Sequence, residues 1–242
     1  VREPGYIKSA CHNWVLDALA VQAKKRGIWH HTNVVMGLAC GRARKWMEEG
    51  RDFIYLDHAY FTRGWAHNNF RAVRNGVHLN MIKPRPPDRL ERFGITVEPW
   101  RKTGTKIVII PPSPFHVDIW PHLKTYVETT KQRLAEVTDR PIYVKTQKGQ
   151  LRQCLADAWA LVCPASVAGV EAALMGVPVF SSPMCPSAPV SAGSIDDIEN
   201  PLLVDNRREW AASLAYASWN ASEIDDIDWL EYDYQMRHDM PS

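Results

Sequence analysis

The chain has 242 residues, 45% of them hydrophobic and 23% charged, which suffices for one or two cored domains and excludes a disordered or low-complexity chain. A formal charge of +2 hides an asymmetry: 18 of the 29 Lys and Arg but only 9 of the 27 Asp and Glu precede position 105, a net of +9 there and −7 beyond it. No apolar run approaches the ~18 residues of a membrane span and no leader is read, so a cytoplasmic protein is expected; the five scattered cysteines, Cys11, Cys40, Cys154, Cys163 and Cys185, contain no C-x-x-C pair and argue for reduced thiols rather than a zinc site.

Residues 11–26 carry Trp14, Val15, Ala18, Leu19 and Val21 at helical spacing, and Gly27 closes them. A strand over 32–36, a short helix over 42–49 closed by Gly50, and a strand over 53–56 follow. Asp57 and His58 then fall at a strand's carboxyl end. There a carboxylate can be held in a cleft and tuned toward basicity by partial burial, so Asp57 is the first candidate for a general base and His58 the second; a turn-forming Asp is the alternative reading. Arg63, His67, Arg71 and Arg74 lie just beyond, candidates for holding an acceptor. Basic residues interleave with Trp46, Tyr60, Phe61, Trp65 and Phe70, a composition that suits a polyanion such as DNA as well as a solvated basic face. Residues 1–85 are therefore read as a basic front lobe. The stretch 86–104, rich in proline and charge, is read as a linker with one or two helical turns near 88–93.

The rear lobe, 105–226, opens with a β-branched strand over 106–110 that runs into an irregular Pro-Pro-Ser-Pro segment carrying Ser113 and His116. A helix over 120–137, a strand over 142–145 that ends on Lys145 with Lys148 just beyond, and a helix over 150–158 come next. Residues 159–163 form a buried strand, 164–166 break it, 167–175 form a packed helix that Gly176 ends, and 177–180 start the next strand. Such a unit closes as a right-handed parallel crossover, and open parallel sheets bind ligands beyond their carboxyl ends. Ser166 then stands at a helix start, where its hydroxyl and the backbone N–H groups suit a phosphate or simply cap the helix. Glu171 lies among small apolar residues and needs donors, such as ribose hydroxyls, an arginine or water. Lys145 and Lys148 are candidates for a diphosphate, Ser113 and His116 for further donor contacts. The segment from 207 is helical, and 227–242 is an acidic tail.

The apolar strand, Ser166, Glu171 and then Ala172-x-x-x-Gly176-x-Pro178-Val179 resemble the nucleotide-sugar half of GT-B-type glycosyltransferases and related epimerases. The run RREWAASLAYASWNASE over 207–223 resembles the tail of sugar transferases from phage and capsule-polysaccharide clusters, with Trp219-Asn220 for the usual Trp-Thr, and IYLDHAYFTRG over 54–64 is similar to an acidic-loop segment of the capsule enzymes. Pro164-Ala165 replaces the usual Gly-Gly before the serine. The resemblance implies an α/β protein with two facing Rossmann-like lobes (GT-B-like), parallel sheets flanked by helices, and Glu171 on the ribose of a nucleotide-sugar donor, a UDP-sugar by preference. No metal and no further cofactor are implied. It also implies transfer to a hydroxyl, preferably a hydroxymethylated pyrimidine in phage DNA, in the host cytoplasm. A surface polysaccharide as acceptor, a nucleotide-sugar epimerase, and a catalytically inactive nucleotide-binding protein on the same scaffold are the alternatives.

Overall fold

The computed structural model describes residues 6–7, 33–37, 40–61, 69–147, 149–220 and 222–223. The helix expected over 11–26 lies outside them. In chain order the described elements are β1 (Tyr6–Ile7), β2 (Asn33–Met36), α1 (Cys40–Glu48), β3 (Phe53–His58), β4 (Asn69–Arg74), α2 (Asp88–Arg92), β5 (Lys106–Ile109) and α3 (Pro114–Ile119). They continue with a 3-10 turn (Pro121–Thr125), α4 (Tyr126–Val137), β6 (Ile142–Val144), α5 (Leu151–Cys154), β7 (Ala158–Cys163), α6 (Ala168–Leu174), β8 (Val179–Ser181), α7 (Arg207–Tyr216) and β9 (Ser218–Asn220). The chain is thus mixed α/β. It divides into two compact units, one made of Val1–Val77 with Ala217–Ser242, the other of His78–Tyr216.

The first unit holds a five-stranded sheet in the order β1-β2-β3-β4-β9. β2 and β3 are parallel, and their apolar residues Val34, Val35, Met36, Phe53, Ile54, Tyr55 and Leu56 are buried. α1 is amphipathic: Ala43 and Trp46 are buried, Trp46 meets Phe53 with ring centroids 5.7 Å apart, and Arg44 pairs with Glu48 one turn on along the exposed side. β4 runs antiparallel to β3, and β9 antiparallel to β4. This corrects the expectation of parallel sheets throughout. Residues 59–68 are fewer than the dozen or so that a parallel crossover needs, so the chain doubles back. The Trp-Asn pair expected in a helical tail of the rear lobe is strand β9 of this unit: Trp219 opposes Phe70, and the Asn220 amide donates to Asn69 Oδ1 at 2.7 Å.

The second unit holds a parallel sheet in the order β6-β5-β7-β8. Helices flank it. Leu134 on α4 packs with Ile107, Ile109, Ala160, Val162 and Phe180 in one buried cluster. Alternation along β7 turns Leu161 and Cys163 the other way, toward α6, whose Gly169, Val170, Ala172 and Ala173 are buried. Four segments differ from their expected form. Pro121 breaks the helix expected over 120–137 into a 3-10 turn and α4. The Pro-rich stretch after β5 is a short helix, since Ser113 caps it and Pro114 occupies its first position. The helix over 150–158 shortens to α5, because Ala158 already pairs with Lys106 in the sheet. The stretch 86–104 lies inside this unit: Glu98 N–H donates to Leu174 O at 2.8 Å, Arg101 N–H to Gly176 O at 2.7 Å, and Trp100 Nε1 to Val204 O at 2.9 Å. Arg207 stacks on Trp100, its guanidinium carbon 3.7 Å from the ring centroid.

Candidate functional site

Asp57 and Arg71 are direct cross-strand partners on β3 and β4. Arg71 Nη2 donates to Asp57 Oδ2 at 2.9 Å, Nη1 to His58 O at 2.6 Å and Nε to Val77 O at 3.2 Å. The guanidinium lies between the rings of Tyr55 and Tyr60, at 5.6 and 5.3 Å, and the residue is 2% exposed. Asp57 also accepts from Tyr55 Oη at 3.0 Å and from the His58 N–H at 2.7 Å. Burial pushes its carboxyl up, but the Arg71 charge and these donors outweigh burial and hold it below the usual carboxylate range. The expected tuning toward basicity is therefore reversed, because the strand opposite delivers a cation. Arg71, expected to meet an acceptor, has its donors engaged internally. Arg74 makes a two-point contact with Asp52, Nε donating to Oδ1 at 2.7 Å and Nη2 to Oδ2. His58 sits beside Asp57 opposite Phe70, while Arg63 and His67 lie outside the described residues.

In the second unit the sheet order puts β5 beside β7, while the connections from β5 run outward to β6 and those from β7 to β8. The crevice between the carboxyl ends of β5 and β7 is thus the topological switch of the sheet. Ser113 follows β5 and Ser166 follows β7, so both residues singled out in the sequence flank this switch. Ser113 caps α3, its Oγ accepting from His116 N–H at 3.2 Å. Ser166 stands one residue before the α6 cap position, Val167, and its Oγ accepts from Ala168 N–H at 3.1 Å in a local turn. His116 is buried among His78, Phe115 and Trp120, with ring centroids 5.8, 5.4 and 6.0 Å away. Lys145 follows β6, its backbone N–H bonded to Ile109 O at 2.9 Å and its ammonium to Gln147 O. Lys148 lies outside the described residues. Glu171 is half-buried on α6.

Two cavities are described in this unit. One, of about 550 Å³, opens at Gly104, Asp139, Arg140 and Glu199, beside the amino ends of β5 and β6. That is the wrong end of the sheet for a ligand. The other, of about 310 Å³, lies at the carboxyl ends of β7 and β8, between Val162, Phe180 and Ser181 on one side and Tyr126, Thr129 and Thr130 of α4 on the other. Burial, reinforced by Cys163 nearby, pushes the Tyr126 phenol far above its ordinary value, so it stays a neutral donor at any working pH. Arg133 stands at this cavity, already bonded to Asp196 and Glu136. Ser166 and Glu171 line neither cavity.

Sequence reasoning missed the hydroxyl set of Tyr126, Thr129, Thr130 and Ser181. The first three recur along one helix, a signal that was present but indistinguishable from a polar helix face. It also missed the contact between Cys163 and Cys185, whose sulfurs lie 3.8 Å apart. Among the described residues no group of three or more His, Cys, Asp or Glu is arranged to hold a metal ion, and no helix is long and apolar enough to cross a membrane. The chain matches no family model and no curated protein.

Proposed function

We propose that the chain binds a nucleotide-activated sugar through residues 78–216 and transfers the sugar to a hydroxyl acceptor, in the manner of a GT-B-like glycosyltransferase. The observation that carries this reading is the switch between β5 and β7, where Ser113 caps the helix that follows β5 and Ser166 lies in the turn between β7 and α6. A phosphorylated ligand approaching these loops meets hydroxyls and backbone N–H groups. The neighbouring hydroxyls of Tyr126, Thr129, Thr130 and Ser181 suit a polyhydroxylated group, and a cavity of about 310 Å³ falls at the low end of the range for small-molecule sites. Glu171 is assigned to the ribose on the resemblance of its surrounding motif. The donor is a nucleotide sugar, a UDP-sugar by preference, with no metal or additional cofactor.

One measurement tests the donor half. The chain is heated with uridine, guanosine, cytidine or thymidine diphosphates and with their sugars. One of these, at about a hundred times its Kd, is expected to raise Tm by roughly 5–10 °C, since such binding contributes about 2.7 kcal/mol. Glu171→Gln should diminish that shift. A flat response to the whole series refutes the reading. Incubation with the bound donor alone then separates transfer from epimerisation, which needs no second substrate.

For the acceptor, the basic front lobe favours DNA bearing a hydroxymethylated pyrimidine. A specific observation favours the second reading, a surface polysaccharide. Val1–Val77 carries 12 Lys and Arg against 6 Asp and Glu, but Ala217–Ser242, grouped with it, carries 1 against 7. The first unit is then neutral, which removes the net attraction for a polyanion.

A further inference from the structure

Cys163 ends β7 and Cys185 lies in the loop after β8, with both side chains fully buried. Their sulfurs are 3.8 Å apart, and a disulfide bond is ~2.05 Å, so each sulfur has to move by only about 1 Å. The surroundings distinguish the two. Cys185 Sγ lies 3.1 Å from Ser187 Oγ, whose hydroxyl donates to Ser181 Oγ at 3.1 Å, and as a thiol Cys185 donates to Ser166 O at 3.5 Å. Gly169 lets α6 pack onto the same spot: a Cβ there would stand 3.1 Å from Cys163 Sγ and 2.5 Å from Ser187 Oγ. The pair is therefore held in register by three segments of chain.

We propose that Cys163 and Cys185 are an oxidisable pair, converted by a hydroperoxide to an intramolecular disulfide that pins the loop after β8 to the end of β7. Cys185 is the attacking sulfur. Burial opposes its thiolate, but the Cys163 thiol and the Ser187 backbone N–H, as donors, outweigh burial, whereas Cys163, as the donor to Cys185 and itself buried, is held protonated. Cys185 Sγ takes the terminal oxygen of the peroxide as the O–O bond breaks, giving a sulfenic acid and water, or an alcohol from an organic peroxide. Cys163 Sγ then displaces that hydroxyl, which leaves as water with the Cys163 proton. Two thiols lose two electrons and the peroxide gains them. In the disulfide Cys185 no longer donates to Ser166 O, so the loop after β7 registers the change.

The full chain is exposed to hydrogen peroxide, the remaining thiols are alkylated in denaturant, and an unreduced digest is mapped. The expected result is a loss of two hydrogens, a cross-link joining the peptides that carry positions 163 and 185, reversal by dithiothreitol, and a Tm raised by several degrees. With Cys163→Ser the cross-link should vanish and a dimedone-reactive sulfenic acid should persist at Cys185; with Cys154→Ser the cross-link should remain. Recovery of both wild-type thiols under peroxide that oxidises the partly exposed Cys154, or a link from either to another cysteine, overturns the proposal. The wild-type map decides it even where a variant fails to fold, and its outcome does not depend on nucleotide binding.

Discussion

Arg71 shows how a residue's neighbours decide its role. Its charge, read from sequence as part of a basic face, is taken out of water between two tyrosine rings and matched to Asp57. Removing one member of such a pair leaves the other buried and unmatched. Asp57→Asn is expected to destabilise the chain by about 3 kcal/mol, measured by urea unfolding at pH 7. The sign with pH follows from the lowered carboxyl. A group whose folded pKa is depressed stabilises above its unfolded value near 4 and loses that contribution as pH falls toward the folded one. The wild type should therefore lose stability below about pH 4, and Asp57→Asn should show a shallower acid loss. Unchanged turnover with donor binding intact would in addition remove Asp57 from the proposed chemistry. Sequence placed Asp57 at a strand end correctly. It could not foresee Arg71, because the two are 14 residues apart and meet only through the antiparallel register of β3 and β4.

At the scale of elements, the parallel strands β5 to β8 were legible because buried strands flanked by helices are continuous apolar runs, as in KIVI and AWALVC. The turn at the end of α6 was legible for a different reason. Gly176 has φ +73, a conformation that favours glycine, and an added Cβ would meet Pro99 O at 1.9 Å. Gly149 has the same φ with open space around it. Replacing each by Ala separates the two effects: Gly149→Ala should cost about 1 kcal/mol, and Gly176→Ala at least about 1 kcal/mol more, read from the shift in denaturation midpoint. Equal costs would show that Pro99 yields freely. β4 and β9 escaped the reading because their pattern does not alternate cleanly and their partners lie far away in sequence, Asn69 bonding Asn220 across 151 positions.

For the whole molecule, charge and connectivity have to be read together. Counted along the chain, the front is strongly basic; counted by compact unit, it is balanced. Duplex DNA containing a hydroxymethylated pyrimidine should accordingly bind weakly at 50 mM salt, with a log K against log salt slope near zero, whereas a protein neutralising several phosphates loses affinity steeply. A steep slope would return DNA to first place as acceptor. The candidate site was half legible: the loops after β5 and β7 were marked by Ser113 and Ser166, while the hydroxyl-lined cavity beside them depends on how α4 lies on the sheet, which no local pattern encodes.

The late return of the chain to β4 has a consequence for biosynthesis. A ribosome releases residues 78–216 as one contiguous stretch, able to condense as soon as it emerges, but the amino-terminal sheet must wait for residues 218–220 before its last rung can form. Until then the outer rim of β4 is open to other nascent chains.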